Sequence, residues 1–413
     1  MEPLITNDAV VLGILLTILA VVFKTSSIDT PFWKKFYTFI PTVLLCYFIP
    51  SIFNSLGIIS GEHSQLYFMA SRYLLPSSLV LLTLSVDINA IIKLGWRAIV
   101  MFLTGTIGIV IGGPIAILII SFFAPDVVGG AGPEAVWRGL TTIAGSWIGG
   151  GANQTAMREV FEVSDKLFSQ MLPVDIIIGY LWMGVLLYGA GINKKIDNWL
   201  KADVTAIDDL RVRVEKYRAS IAHIPTVKEI TIILAFAFGT TGIAHFLADI
   251  IAPWLASNLP FLKDFGLTST FFWIVVIATT GGLILSFTKA RKLEGAGASN
   301  IGTIFLYILI AAIGMSMDLT AIVENPGLFL VGIVWIMIHV VLLFIVGKLI
   351  KAPFFFIAVG SQANVGGTAS APIVASAFHT ALAPVGVLLA VLGYVVGTYG
   401  AILTGWLMQI VAP

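Results

Sequence analysis

Long apolar segments separated by short polar connections follow one another along the whole chain. Ten of them are uninterrupted and cover approximately residues 9–23, 36–58, 67–86, 98–124, 168–191, 228–251, 268–288, 299–317, 327–348 and 384–410. A bilayer core of roughly 30 Å needs about 20 apolar residues in a helix. The pattern therefore predicts an all-α membrane protein with ten transmembrane helices.

Two further apolar segments are interrupted by glycines and amides. Residues 138–163 contain GSWIGGGANQTAM from Gly145, and residues 353–380 contain GSQANVGGTASAP from Gly360. We interpret both segments as re-entrant hairpins, which enter the membrane and return to the side they came from. The alternative is a kinked helix that spans the membrane, because glycines also occur where helices pack closely.

The positions of Lys and Arg favour the hairpins, because cytoplasmic loops are enriched in these residues. With two hairpins, one side of the membrane carries the basic connections, which contain Lys24, Lys34, Lys35, Lys93, Arg97, residues 192–228, Lys289, Arg291, Lys292, Lys348 and Lys351. We expect that side to be the cytoplasm and both chain termini to lie outside it.

Composition agrees with an integral, multi-pass membrane protein whose main solvent is the lipid bilayer. The chain is 58% hydrophobic and 11% charged, and its mean hydropathy is +1.00. A formal net charge of +1 argues against a nucleic-acid partner, because binding a phosphate backbone requires a large basic surface. A single cysteine, Cys46, excludes an intrachain disulfide and a thiolate metal cluster.

Three pairs of phrases recur in the same order along the chain. SVDINAII from Ser85 matches SMDLTAIV from Ser316, the two glycine phrases follow, and LPVDIIIGYL from Leu172 matches APVGVLLAVL from Ala383. An odd number of predicted spans separates the members of the first pair, so the two copies run in opposite directions through the bilayer. The sequence predicts two inverted repeats, 1–191 and 228–413, each with five spans and one hairpin, joined by a cytoplasmic linker at 192–227.

The interrupted segments carry the candidate chemistry. Broken helices in a membrane offer N-terminal N–H groups to an anionic solute, and freed carbonyls and side-chain oxygens to Na⁺. For the substrate we predict contacts with Ser146, Gly150, Gly151, Asn153, Gln154, Ser361, Gln362, Asn364, Gly366, Gly367 and Thr368. For the coupling ion we predict contacts with Asp175, Asn153, Thr155, Asn364 and Ser370.

Asp175 is the carboxylate nearest to these phrases, and its counterpart in the second repeat is Gly386. An ionisable residue within a span indicates function, although Asp175 also fits a helix cap. We expect Arg72 to extend to the membrane surface, His245 and His339 to pack within the protein, and Gly282 to permit close helix contact. No His or Cys cluster suggests a transition metal, so we expect no cofactor other than Na⁺.

The two glycine phrases, with the SVD and SMD phrases, resemble the DUF819 family of membrane proteins over essentially the whole chain. The layout of two inverted halves with glycine-rich hairpins is also similar to the sodium/glutamate and sodium/2-hydroxycarboxylate symporters. That similarity implies an elevator motion of a transport domain against a dimeric scaffold, and hence a homodimer. The chain departs from the 2-hydroxycarboxylate carriers because its hairpins lack their substrate-binding arginine, which argues against a citrate-like substrate.

These features favour a secondary active transporter over an enzyme. We expect Na⁺-coupled symport of a small anionic organic solute, such as an amino acid, a short peptide or a carboxylate, in a bacterial inner membrane. A cation/proton antiporter is the alternative, because Asp175 and the neutral amides can serve an ion alone. The chain has no GxxxxGK[ST] phosphate loop for an ATP-driven pump and no paired His-Glu motif for a metalloenzyme.

Overall fold

The computed structural model describes residues 3–40, 42–61, 63–203, 225–265, 267–315, 325–379 and 382–413. Regular structure in these ranges is entirely helical. Residues 204–224 of the predicted linker and the second repeat phrase, SMDLTAIV, lie outside the described residues.

Fifteen helices of at least nine residues form the described part of the protein. They are α1 (Asp8–Ser26), α2 (Pro31–Phe39), α3 (Thr42–Ser55), α4 (Leu66–Leu84), α5 (Trp96–Phe123), α6 (Val136–Gly149), α7 (Gly151–Val160), α8 (Asp165–Gly191), α9 (Val227–Asn258), α10 (Thr270–Ser286), α11 (Ala298–Gly314), α12 (Gly327–Leu349), α13 (Phe354–Val365), α14 (Gly367–Phe378) and α15 (Ala383–Val411). Shorter helical turns occur at Ile88–Ile92, Pro125–Val128, Gly132–Glu134, Asn193–Leu200, Pro260–Phe265 and Lys289–Ala296.

Helices occupy all ten segments predicted to span the membrane. Among the described residues, seven helices are long and apolar enough to cross a bilayer, or nine if two bent pairs each count as one span. The bent pairs are α2 with α3, and α10 with Lys289–Ala296. The predicted all-α, multi-pass membrane class is therefore confirmed. The predicted count of ten includes α11, whose 17 residues give a length of about 26 Å.

Polar side chains in the spans satisfy backbone groups that the helices leave open. Pro76 lies in α4 and has no N–H to donate to the carbonyl of Arg72, four residues earlier. His245 of α9 donates from Nε2 to that carbonyl oxygen at 2.8 Å. The expectation that His245 is a packing residue is confirmed, and its specific task is to pair a carbonyl that proline has freed.

Fourteen of the helices form two bundles, and α2 packs on α1. The six-helix bundle consists of α1, α3, α4, α9, α10 and α11, and the eight-helix bundle consists of α5 to α8 and α12 to α15. Within the described residues, contact between the bundles runs mainly through α7 and α15, which pack against α4, α10 and α11. Each bundle takes helices from both halves of the chain, so the sequence repeats are not two separate structural domains.

Close packing of α10 on α4 holds the six-helix bundle together. Gly282 of α10 faces Val80 and Thr83 of α4, and a Cβ atom at Gly282 would lie 2.6 Å from the Val80 carbonyl oxygen. The backbone cannot yield as a flexible side chain does, so the missing side chain permits this approach. The close contact expected from the glycine in the sequence is confirmed.

We predict that Gly282→Leu destabilises the protein, because the new side chain has to push α10 away from α4. Overpacking of this kind costs about 1–3 kcal/mol. The measurement is the thermal unfolding midpoint of purified protein in detergent. Gly239→Leu is the matched control, because Gly239 lies in α9 with no atom within 4 Å of a built Cβ. Equal midpoints for the two variants would contradict the role of Gly282.

Candidate functional site

The first interrupted segment folds back on itself at Gly150. Gly150 has φ +75°, separates α6 from α7 and has no side-chain cap to offer. A Cβ atom at Gly145 would lie 2.5 Å from the carbonyl oxygen of Asn153, whereas residues eight positions apart in a straight helix are about 12 Å apart. The helices α6 and α7 therefore lie side by side and form a helical hairpin.

The second interrupted segment repeats this arrangement at Gly366 and Gly367. Gly367 has φ +58° and is the first residue of α14. Gln362 of α13 donates from Nε2 to Oγ of Ser370 in α14 at 2.7 Å, again across eight residues. A Cβ atom built on Gly367 would lie 3.9 Å from the Cα atom of Gly150, so the tips of the two hairpins meet.

A cavity of about 200 Å³ opens where the two tips meet. One water molecule needs only about 10–15 Å³, so the cavity has room for a small organic solute. The eight-helix bundle supplies its polar side, and α3 and α11 of the six-helix bundle supply Val43, Thr303, Leu306, Tyr307 and Ile310. The site therefore lies between the two bundles.

Ten of the predicted site residues line this cavity, and four do not. The ten are Ser146, Gly150, Gly151, Gln154, Asp175, Gln362, Gly366, Gly367, Thr368 and Ser370. The side chains of the other four, Asn153, Thr155, Ser361 and Asn364, hydrogen-bond elsewhere in the protein. The structure thus brings residues of both glycine phrases together around one space.

Asp175 is the charged residue of the site. It is 7% exposed and accepts a hydrogen bond at 2.7 Å from Nε2 of Gln154, in the first turns of α7. The Ser146 hydroxyl faces the same carboxylate. Asp175 lies ten residues after Asp165, the first residue of α8, so the alternative that it caps a helix is wrong. No other described cavity-lining residue carries a formal charge at neutral pH.

Asn153 joins the first hairpin to α15. Its Nδ2 donates to the carbonyl oxygens of Gly149 and Tyr394, both at 3.1 Å. Its Oδ1 accepts from the hydroxyl of Thr398 at 2.5 Å. With 0% exposure, the amide is fully engaged by the protein.

Asn364 joins the second hairpin to α5. Its Nδ2 donates to the carbonyl oxygens of Gly360 and Phe102 at 2.8 and 2.9 Å. Its Oδ1 accepts from the hydroxyl of Thr106 at 2.8 Å. Both asparagines thus bond a carbonyl four residues earlier, a carbonyl of a neighbouring helix and a threonine, and we infer that they hold the hairpins in place.

Ser361 belongs to a buried chain of hydrogen bonds behind the cavity. His339 lies 2.9 Å from the Gly105 carbonyl oxygen, which only accepts, so Nδ1 carries the proton. Nε2 of His339 then accepts from the Ser361 hydroxyl at 2.7 Å, and Ser361 accepts from the indole N–H of Trp182 at 2.8 Å. His339 packs as expected, and this chain links α5, α8, α12 and α13.

Thr155 has its own local partners. Its hydroxyl donates to the carbonyl oxygens of Gly151 and Ala152 within α7, both at 3.0 Å.

Tyr394, in contrast, was not anticipated from the sequence. Its hydroxyl lies 2.8 Å from Oγ1 of Thr368, at the N-terminus of α14. A tyrosine in an apolar span gives no signal until its neighbours in space are known.

An ion pair crosses from one bundle to the other. Arg72 of α4 contacts Glu159 of α7 at 3.0 Å, and its guanidinium lies 4.3 Å from the centre of the Phe271 ring of α10. The side chains of Arg72 and Glu159 are 32% and 11% exposed. Arg72 was expected to extend to the membrane surface, but instead it joins the two bundles.

Comparison with known proteins agrees with a membrane protein. A family model described as "Protein of unknown function (DUF819)" matches residues 13–411. The uncharacterized membrane protein YjcL of Bacillus subtilis (strain 168) is 25% identical over 368 residues, which cover 86% of this chain and 87% of that protein.

We predict that Asn153→Asp destabilises the folded protein, because a carboxylate oxygen would replace an N–H₂ group between two carbonyl oxygens. A lost buried hydrogen bond costs about 1–3 kcal/mol, so the thermal unfolding midpoint in detergent should fall by several degrees. Asn300→Asp is the control, because Asn300 is exposed in the first turn of α11, where a negative charge is tolerated. An unchanged midpoint for Asn153→Asp would contradict the structural role.

Proposed function

The chain belongs to the DUF819 family, as its glycine phrases indicated, and from this premise we propose that it is a secondary active transporter of the elevator type. Its cargo is a small organic solute that carries an anionic group, such as an amino acid, a short peptide or a carboxylate, taken up together with Na⁺. The observation that carries the proposal is the polar cavity formed by two broken helices between two bundles. Such discontinuous helices are the recurring binding element of secondary transporters.

The lengths of the hairpin helices support re-entrant segments. The helices α6 and α7 have 14 and 10 residues, and α13 and α14 have 12 each. At about 1.5 Å per residue none exceeds about 21 Å, which is short of a bilayer core of roughly 30 Å. Their side-by-side packing returns the chain towards its starting side, in line with ten spans and two hairpins.

The packing pattern supports two inverted repeats. Under the predicted repeat, α1, α3, α4, α5 and α8 correspond to α9, α10, α11, α12 and α15. The contact of α3 with α11 then matches that of α10 with α4, and the contact of α1 with α11 matches that of α9 with α4. The contact of α8 with α12 likewise matches that of α15 with α5. A two-fold axis that relates the two halves of the chain would give each of these helix contacts a counterpart in this way.

The division into bundles supports the elevator motion. The eight-helix bundle holds both hairpins and the polar side of the cavity, and we propose that it moves as the transport domain. The six-helix bundle is the proposed scaffold, and the architectural resemblance implies that it forms a homodimer. We place the protein in the bacterial inner membrane with both termini outside the cytoplasm.

Asp175 supports coupling to a cation. A buried carboxylate in a membrane is unfavourable unless it is paired, and Na⁺ favours carboxylate and neutral oxygen ligands. The same carboxylate also favours the second candidate, a cation/proton antiporter without an organic cargo. The two functions differ in whether a solute is bound in addition to the ion.

We predict that Na⁺ raises the thermal unfolding midpoint of the purified protein where K⁺ does not, because only a bound ion stabilises the folded state. Asp175→Asn should abolish the difference between the two salts. Asp126→Asn should preserve it, because Asp126 is exposed in the turn Pro125–Val128. The same assay, screened with amino acids, short peptides and dicarboxylates, separates symport from antiport. Equal effects of Na⁺ and K⁺ on the wild-type protein would contradict sodium coupling.

We predict that a disulfide between the bundles stops transport but not binding. The hydroxyls of Thr279 in α10 and Thr398 in α15 are 3.3 Å apart, so Thr279→Cys with Thr398→Cys, in a Cys46→Ala background, should cross-link on oxidation. Uptake into proteoliposomes of the solute found in the screen should then be lost, and reductant should restore it.

The control disulfide lies within the six-helix bundle. Ser77 and Thr241 have hydroxyls 3.0 Å apart, and Ser77→Cys with Thr241→Cys should leave uptake unchanged by oxidation. Full uptake by the oxidised pair at Thr279 and Thr398 would contradict a sliding motion between the bundles.

A further inference from the structure

The formal charge of the cavity is negative. Among the described residues that line it there is no Lys, Arg or His, and Asp175 is the one acid. Arg72 pairs with Glu159 and Arg158 pairs with Asp165, and neither arginine lines the cavity. Because a buried carboxylate has to be neutralised, a positive charge has to reach Asp175 from Na⁺ or from the cargo itself.

A second acceptor lies in the same lining. Gln362 is 2% exposed, and its Nε2 is used by Ser370. Its Oε1 is buried without a hydrogen-bond partner among the described residues. An amide oxygen and a carboxylate only accept, so both require a donor or a cation from the occupant. Buried acceptors are rarely left unpaired without a functional reason.

A donor surface lies directly beside these acceptors. Within the described residues, neither α7 nor α14 has a side-chain cap at its N-terminus, so the first N–H groups of both helices lack intrahelical acceptors. These N–H groups belong to Gly151 and its successors in α7, and to Gly367 and its successors in α14. Helix N-termini favour negative charge, and the glycines let a ligand approach the backbone closely.

The two surfaces are close enough to bind one molecule. Gln154 holds the Asp175 carboxylate, and it lies only three residues after Gly151, within the first turns of α7. Asp175 is therefore held by the same first turns of α7 whose N–H groups have no side-chain cap. An anionic cargo would need Na⁺ beside Asp175 to offset the carboxylate charge, and a lone cation would leave the N–H groups unpaired. One molecule that carries both charges satisfies both surfaces.

We propose that the cargo is a small zwitterion of the α-amino acid class. Its ammonium group binds Asp175 and Oε1 of Gln362, and its carboxylate binds the N-termini of α7 and α14. Leu172, Ile176, Leu306 and Ile310 line the remainder of the cavity and fit an apolar side chain. This inference rests on the proposed transport function and narrows its substrate class.

The test uses three probes that share one side chain. Alanine, valine, leucine and phenylalanine are each compared with the carboxylic acid that lacks the amino group and with the amine that lacks the carboxylate. Binding to purified full-length protein is measured by calorimetry in Na⁺ buffer. At least one amino acid should bind with a Kd at least tenfold lower than those of its two partners. A carboxylic acid or an amine that binds as tightly as its amino acid would overturn the proposal.

Asp175→Asn provides a readout that a structural role would not produce. Removing the negative charge should weaken amino acid binding at least tenfold and strengthen binding of the matching carboxylic acid, so the preference reverses. Gln362→Met should weaken binding of the amino acid and leave binding of the carboxylic acid unchanged. The thermal unfolding midpoints of both variants without ligand show whether they fold. Parallel losses for both probes in a folded Asp175→Asn variant would contradict the ammonium assignment.

The outcomes also separate this proposal from the one it rests on. If no amino acid binds but a solute without an ammonium group does, the zwitterion proposal is wrong and the transport proposal stands. If no solute of either set binds, and the disulfide between the bundles changes no uptake, both proposals fail.

Discussion

The constraint that governs this structure is the cost of an unpaired backbone group in hydrocarbon, roughly several kcal/mol for each. Two helices break at Gly150 and at Gly366, and each break frees N–H and C=O groups in an apolar protein. Buried amides tie both hairpins to neighbouring helices. Asn153 and Asn364 each bond two carbonyls and one threonine. The N–H groups at the tips have no side-chain cap, and they offer the cavity a polar surface that favours an anion.

The sequence predicted the helices and the breaks because their signals are local. Apolar length locates the spans, and the glycine phrases locate both hairpins to within a few residues. The sequence also identified Gln154 and Asp175, since a carboxylate in a span has few structural uses. It did not distinguish Asn153 and Asn364 from ligand-binding amides. Their partners Thr398 and Thr106 are more than two hundred residues away in the chain, and only folding brings them together.

Pairings between the bundles were equally beyond the sequence. Arg72 looked like a residue for the membrane surface, because its partner Glu159 lies in a different bundle. The division into bundles also cuts across the predicted repeats: each half of the chain contributes its early helices to the six-helix bundle and its late helices to the eight-helix bundle. A repeat in a sequence indicates that two segments share an origin. The bundles that can move as units depend instead on which helices pack together.

Both bundles contribute residues to the cavity wall. Asp175, Gln362 and the hairpin tips belong to the eight-helix bundle, whereas Leu306, Tyr307 and Ile310 belong to the six-helix bundle. If the eight-helix bundle slides past the six-helix bundle, the charged groups of a cargo keep their contacts during the movement. The side chain of the cargo exchanges one set of apolar neighbours for another. The site would then discriminate between cargoes of different shape at one face of the membrane and less so at the other. Loading and release would differ in selectivity although the polar contacts stay the same.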